Sequence, residues 1–361
     1  MAAAIPVGAE ALDLRILQSL PTPVTDSLMA RGCKTAADVL RRPEAVKEVL
    51  VQHQVAGAVA RAGAMVKGCA EEAAAKDAWT SADSALSLLR QAQGAPGLRL
   101  PCEGLNALLG SVLTGGGALL EVCGLPGSGK TQFCLQLCAA AQISSLTDDS
   151  LAEAVFVDTE GSFVPRRYMQ VCEALLSETR PTLDAASAAR QLEAVMRGLH
   201  VCRAYDATEL YSTVKQLSSF IKGRPRVRAL VVDSVAFSFR HELMDNTAQR
   251  ARVLADIAQT LRRCGSEHGL VVVVTNHMTT RFERGSERGY LAPALGETWA
   301  HQPSTQLRLE KSDSWQPGLG RATLTKSVEQ AAGRSCLYTI EKAGLRDYCG
   351  KEQLVASGVV R

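Results

Sequence analysis

Two rhythms of apolar residues divide the chain. From residue 1 to about 76 the sequence is Ala-rich, with short runs at helical spacing such as Leu12/Ile16/Leu17 and Val46/Val49/Leu50. The runs are broken at Pro21 and Pro23, at Arg31-Gly32 and at Arg42-Pro43. Apolar residues three and four apart give each helix one face to bury, and the breaks are turn signals, so this part predicts a small bundle of short helices. From residue 118 onward the rhythm changes. Five short apolar runs, several rich in Val, lie at 118–123, 154–158, 199–203, 228–233 and 270–276, with longer amphipathic segments between them. In one such segment Leu254, Ile257, Ala258 and Leu261 recur at i, i+3, i+4 and i+7, one stripe along a helix. Strands that alternate with helices need crossover connections, so this part predicts an α/β domain with a mainly parallel sheet. Three further runs, at 306–310, 321–326 and 335–340, leave little room for helices and predict an antiparallel extension. The polar stretch between the two rhythms ends in a Gly/Pro cluster. The predicted organisation is a helical N-terminal domain over 1–76, a linker over 77–104 and an α/β domain over 105–361.

Composition narrows the class. The chain of 361 residues is 46% apolar and 21% charged, an ordinary balance for a globular protein with a sizeable core. A net charge of +3 excludes a histone-like cation and an acidic disordered tail, but not a local basic patch. No run approaches the roughly 20 uninterrupted apolar residues of a membrane-spanning helix. The N-terminus lacks a basic region, and Glu10 and Asp13 argue against a secretory or mitochondrial leader. The 11 cysteines are odd in number and form no CxxC or CxxH pair, so they read as buried small apolar residues in a reducing compartment rather than a zinc site.

The chemistry starts at GLPGSGKT, Gly124, Leu125, Pro126, Gly127, Ser128, Gly129, Lys130 and Thr131, with Gln132 behind it. It follows a predicted strand and opens a predicted helix over 131–141, the context that identifies a phosphate-binding loop. Its glycines let the backbone curl so that N–H groups point inward at an anion; Lys130 offers a mobile positive charge, and Thr131 a hydroxyl for Mg²⁺. The run 228–233 ends in Asp233, where α/β sheets bind ligands; Asp233 is the second candidate metal residue, holding Mg²⁺ through a water. Glu160 lies just past the strand that ends at Asp158 and is the candidate base for an attacking water, with Asp158 in support. Asn276 and His277 end the run at 270–276 and are candidates to sense a γ-phosphate, although His277 reads equally as a surface histidine.

Two polar segments follow strand ends: 238–249, with Arg240, and 279–296, with Arg281, Arg284 and Arg288. Guanidinium groups on flexible loops at a ligand-binding edge suit single-stranded DNA. Glu283 and Glu287 dilute the charge, and a plain solvated loop also accounts for these stretches. In the linker, Trp79 is a large aromatic in polar surroundings, which either folds back on its own domain or inserts into a partner. The N-terminal domain lacks the G-x-G of a helix-hairpin-helix and reads as a docking or spacing module.

With these residues in view, the chain resembles the RecA-type recombinase ATPases, and among eukaryotic members the C branch of the Rad-fifty-one paralogues. The residues that carry the likeness are EAVFVDTEGSF (153–163), VVDSVAFSFRHEL (231–243), VTNHMTT (274–280) and PALGETWAH (293–301), and it extends over about residues 100 to 349. The resemblance implies a RecA-like P-loop ATPase core with a mainly parallel sheet and an antiparallel C-terminal extension. It places the catalytic glutamate on Glu160, acting beside Lys130, one DNA loop near Arg240 and a second over about 279–295. It implies an aromatic-x-x-Ala motif that enters a neighbouring subunit; Trp79 and Ala82 fit it, with Trp for the usual Phe. It also implies ATP and Mg²⁺, single-stranded and branched DNA, and hetero-oligomers with B, D and XRCC-type paralogues. Those complexes assist recombinase filament assembly in the nucleus, during homologous recombination, fork protection and meiosis. His277 stands where many members carry Gln. Two functional readings follow: an ATP-hydrolysing recombination mediator, and a structural adaptor that holds ATP with little turnover. A P-loop kinase would leave Trp79 and the DTEGSF segment unexplained.

Overall fold

The computed structural model describes residues 13–17, 19–53, 55, 57–76, 84–94, 97–143, 152–239, 247–282, 289–311 and 318–348. The chain divides into two compact units, Met1–Arg90 and Gln91–Arg361.

The first unit carries α1 (Thr22–Ala30), α2 (Ala36–Arg41), α3 (Pro43–Gln52) and α4 (Ala58–Lys76); α5 (Ala85–Gly94) begins within it. Local chemistry sets the helix starts. Prolines stand in the first turns of α1 and α3, where no amide partner is needed. Thr35 caps α2 in a reciprocal capping box with Asp38, whose carboxyl accepts the Thr35 amide at 3.0 Å. These backbone hydrogen bonds hold the Asp38 carboxyl below its ordinary range. Leu14, Leu28, Val39, Val46, Val49 and Leu50 are buried together beneath the helices, and Val46, Val49 and Leu50 are the face the spacing predicted in α3.

The second unit runs α6 (Glu103–Leu109), β1 (Leu119–Gly124), α7 (Lys130–Ile143), β2 (Glu153–Asp158), α8 (Pro165–Thr179), α9 (Ala185–Arg197), β3 (Leu199–Arg203), α10 (Ala207–Lys222), β4 (Val227–Asp233) and α11 (Val235–Ser238). It continues with α12 (Thr247–His268), β5 (Val271–Phe282), β6 (Gly289–Pro293), α13 (Glu297–Ala300), β7 (Thr305–Lys311), β8 (Leu319–Lys326), β9 (Ser335–Glu341) and β10 (Gly344–Asp347). The ten-stranded sheet has the order β10-β9-β8-β7-β1-β5-β4-β2-β3, with β6 paired to β5. All pairs from β7 through β1, β5, β4 and β2 to β3 are parallel. The extension β7 to β10 is antiparallel.

The apolar runs of β1, β4 and β5 do not alternate with polar residues position by position, because both faces of the sheet are covered. One core packs Phe133, Leu137, Phe156, Val171, Val231 and Val273 beneath α7 and α8; the other packs Val157, Val214, Leu230, Ile257, Leu261 and Val272 beneath α10 and α12. Parallel register then brings the C-terminal strand ends to one edge: Gly124 pairs with His277, and Asp158 with Asp233.

Two regions differ from expectation. Within the predicted linker, Ala85–Gly94 is helical, and Leu98 and Leu100 are buried in the core of the second unit. The strand expected to end at 276 continues as β5 to Phe282 and pairs with β6 as an antiparallel hairpin, where the sequence suggested a loop. Thr279, Thr280, Tyr290 and Leu291 on that hairpin favour extended backbone. Among the described residues no helix is long and apolar enough to cross a membrane. The ten described cysteines are thiols rather than disulfides, most of them buried.

Candidate active site

β1 delivers the chain into the glycine loop, and α7 carries it away. A Cβ on Gly124 would sit 2.6 Å from the Leu309 carbonyl oxygen, and Gly129, at φ +99°, would place one 2.5 Å from Ile340 Cδ1. Both positions therefore admit only glycine. Leu125, Pro126 and Gly127 form the exposed crest. The Tyr338 hydroxyl, from β9, donates to the Ser128 carbonyl at 2.7 Å and ties the loop to the antiparallel extension. Lys130 is 8% exposed, and its Nζ donates to the carbonyls of Gly124 at 2.9 Å and Leu125 at 3.2 Å. Burial lowers its pKa against the opposing pull of Asp233 and Glu160. The Ser128 hydroxyl is buried without a hydrogen-bond partner among the described residues. An unsatisfied hydroxyl, a buried ammonium and the N-terminus of a long helix together form a concentration of donors that suits a polyphosphate.

Opposite this loop lies Asp233, the last residue of β4, 1% exposed. Its Oδ2 accepts from Thr131 Oγ1 at 2.6 Å and from Ser162 Oγ at 3.4 Å; its Oδ1 accepts from Thr275 Oγ1. Burial pushes this carboxyl above its ordinary value, although the Thr131 and Thr275 hydrogen bonds work the other way. Among the described residues no group of three or more His, Cys, Asp or Glu could hold a metal unaided. Thr131 and Asp233 instead present two hard oxygens, the part a protein supplies to Mg²⁺ when phosphate and water complete the shell.

Glu160 projects from the turn after β2, which Asp158 shapes by accepting the amides of Ser162 at 3.0 Å and Phe163 at 3.2 Å. The Glu160 side chain is 25% exposed. Its Oε1 accepts from Ser234 Oγ at 2.5 Å and lies 2.5 Å from His277 Nε2. Burial works to raise its pKa, but the hydrogen bonds from His277 and Ser234, with the charge of Lys130, outweigh it and leave the carboxyl below its ordinary value.

Lys130, Thr131, Asp233, Glu160 and His277 thus converge, and Asn276 does not join them. Side chains alternate across a strand, so Asn276 faces the opposite side of the sheet from Thr275 and His277. It is fully buried, and its Nδ2 donates to Glu121 at 2.7 Å, which corrects the expectation that both residues sense a γ-phosphate. The adjacency of the two residues on one strand was the signal for this. Gln132 is engaged by Arg167, whose Nε donates to it at 2.6 Å and whose Nη atoms donate to the carbonyls of Glu341 and Lys342. Arg281 stands on β5, half-buried, with Nη2 at 3.0 Å from the position a Cβ on Gly296 would take. Arg240, Arg284, Arg288, Trp79 and Ala82 lie outside the described residues. Sequence reasoning missed Ser162, Ser234, Thr275 and Tyr338, whose roles arise only when distant strands meet.

Comparison with known proteins decides the family. The Rad51 family profile matches residues 101–348. The chain belongs to the Rad51 family. It is 33% identical over 338 residues to the DNA repair protein RAD51 homolog 3 of Cricetulus griseus, covering 89% of this chain and 88% of that one. It is 31% identical over 291 residues to the DNA repair protein XRCC3 of Mus musculus, covering 74% of this chain and 81% of the other. The crystal structure of the RadB recombinase matches with a TM-score of 0.54 and 25% identity, covering 70% of this chain and 99% of that chain. As a Rad51-family member the chain carries a RecA-like nucleotide-binding core and has a role in DNA repair by homologous recombination.

Proposed function

We propose that this Rad51-family protein is an ATP-dependent mediator of homologous recombination that binds single-stranded and branched DNA and assists assembly of a recombinase filament. The observation that carries this reading is the convergence of Lys130, the Thr131–Asp233 pair and Glu160 beside the orphaned Ser128 hydroxyl. Lys130 binds the outer phosphates of ATP, and the glycine loop turns its amides and the Ser128 hydroxyl toward them. Mg²⁺, when bound, would neutralise phosphate charge, held by Thr131 and, through a water, by Asp233. Glu160 orients a water and takes its proton as the water oxygen bonds to the γ-phosphorus and the bond to the leaving ADP oxygen breaks. DNA is engaged by the guanidinium groups of Arg240, Arg281, Arg284 and Arg288.

Partner assembly is the second part of this reading. β3 is an edge strand whose last residues are exposed, and beside it lies a cavity of about 690 Å³ lined by Val155, Val201, Leu217 and Phe220 among others. An open edge with an apolar cavity suits an added strand from a neighbouring subunit. Trp79 and Ala82 of this chain would make the matching insertion into a B, D or XRCC-type paralogue. The protein then works in the nucleus as one subunit of a hetero-oligomer. ATP turnover by the full chain, with and without single-stranded DNA, tests the proposal: Glu160→Gln should abolish turnover and retain ATP affinity.

A specific contact favours a second reading. The Oε1 atom of Glu160 is engaged by both Ser234 and His277. A base held this way suits an adaptor that keeps ATP as an assembly cofactor with little turnover. Repair that survives Glu160→Gln in cells while turnover is lost would select the adaptor.

A further inference from the structure

Three elements meet at Glu160. The carboxyl comes from the turn after β2, Ser234 from the end of β4, and His277 from β5. Ser234 Oγ and His277 Nε2 lie 3.4 Å apart, and both reach the same oxygen, Glu160 Oε1. A carboxylate oxygen offers only lone pairs, so Nε2 carries a proton in this contact. Neutral imidazole protonated at Nε2 and doubly protonated imidazolium both satisfy the geometry. They differ in what they leave on Glu160. A neutral N–H orients the carboxylate and leaves its charge available to a proton. An imidazolium that is only 10% exposed forms an ion pair and withdraws that charge. Histidine is the side chain whose charge changes between about pH 5 and 8.

We propose that His277 is a positioning residue that gates Glu160: as neutral imidazole it aims the carboxylate at water, and as imidazolium it locks the carboxylate out of proton transfer. The inference rests on Glu160 acting as the base. Among the described residues, Lys130 on α7 and Asp233 at the end of β4 are charged groups that act on Glu160 beside His277. Cys134 on α7, a thiol that burial has pushed well up, acts on Asp233 and Lys130. β1 pairs Gly124 with His277 across the ladder, and α11 carries no ionisable residue. The main chain of His277 also accepts the Ala294 amide at 2.8 Å, at the base of the β5–β6 hairpin. One residue thus joins the water-activating carboxylate to that hairpin.

Two measurements on the full chain test the gate. The first is ATP turnover from pH 6 to 8.5, with fluorescent-nucleotide affinity measured at each pH. Wild-type turnover should fall about tenfold across the acid limb while affinity holds. His277→Gln keeps an N–H donor that cannot take a proton, so that limb should shrink to less than about twofold. The second needs no turnover: the ring signal of His277 in ¹³C-histidine-labelled protein, assigned by its loss in His277→Gln. Glu160→Gln should move that signal at fixed pH, because the acceptor of the ring N–H has changed. A wild-type acid limb retained in His277→Gln, or an unmoved ring signal in Glu160→Gln, overturns the gate and leaves Glu160 as base intact. Undiminished turnover in Glu160→Gln overturns the base and the gate together.

Discussion

Two of the carboxyl groups buried in the sheet, Asp233 and Glu121, lie on opposite faces and have little else in common. Asp233 ends β4 and is approached by three hydroxyls, those of Thr131, Thr275 and Ser162. Glu121 sits in mid-β1, fully buried, and accepts three N–H bonds: from Asn276 at 2.7 Å, from Trp299 Nε1 at 2.7 Å and from Gln306 at 2.6 Å. Hydroxyls rotate and can trade a carboxylate for a metal ion or a phosphate. The indole N–H can only donate, and the two amides are fixed by the strands that bear them. Glu121 therefore closes a knot joining β1, β5, β7 and α13, whereas Asp233 heads a site that can reorganise. Burial alone does not separate a structural carboxyl from a functional one. The partners do, together with an unsatisfied group nearby such as the Ser128 hydroxyl.

The sharpest way to break this contrast is Glu121→Ala. It strands three buried donors and should lower stability by about 3 kcal/mol or more, read as a drop in the urea midpoint. Asp233→Asn should behave in the opposite sense. Burial disfavours the charged form there, so the melting temperature should hold or rise while Mg²⁺-dependent ATP affinity falls about tenfold to a hundredfold. A urea midpoint that drops as far in Asp233→Asn as in Glu121→Ala would erase the distinction.

Acid titration sharpens the comparison further. The Glu160 carboxyl sits below its ordinary value in the fold. Its contacts therefore add stability above the ordinary glutamate range, near pH 4.3, and lose it as pH falls through the lowered folded value. The raised Asp233 carboxyl works the other way, costing stability at neutral pH and returning it on acidification. Melting curves between pH 6 and about 3 should show a shallower acid loss in Glu160→Gln than in wild type. The smallest effect belongs to the helical unit. Thr35→Ala removes the α2 cap and should cost about 1 kcal/mol while leaving ATP binding untouched.

Much of this site was legible because its parts are local. The glycine loop, its lysine and its threonine occupy eight consecutive residues, and their strand-to-helix setting is written in the hydrophobic rhythm. Asp233 and Glu160 follow from the rule that parallel strands bring their C-terminal ends together. What escaped depends on side-chain parity and on long-range pairing. Asn276 and His277 are neighbours on a strand and so cannot serve one face, a constraint that periodicity contains but that motif reading ignored. Glu121 is a charge inside the apolar run 118–123, and its three partners lie 155, 178 and 185 residues away. Tyr338 reaches the phosphate loop only because β9 is carried there through β8 and β7. The hairpin β5–β6 escaped because its arginines and glycines read as a loop, while the Thr, Tyr and Leu residues that pair there form no strong apolar run.

The central claim is that the glycine loop and Lys130 form a polyphosphate site coupled to Asp233 and Glu160. The most direct test is a calorimetric titration of the full chain with ATP and Mg²⁺, wild type beside Lys130→Ala, with circular dichroism to show both folded. The account predicts saturable 1:1 binding in wild type and a loss of about tenfold to a hundredfold in the variant. Equal affinity in the two proteins would contradict it.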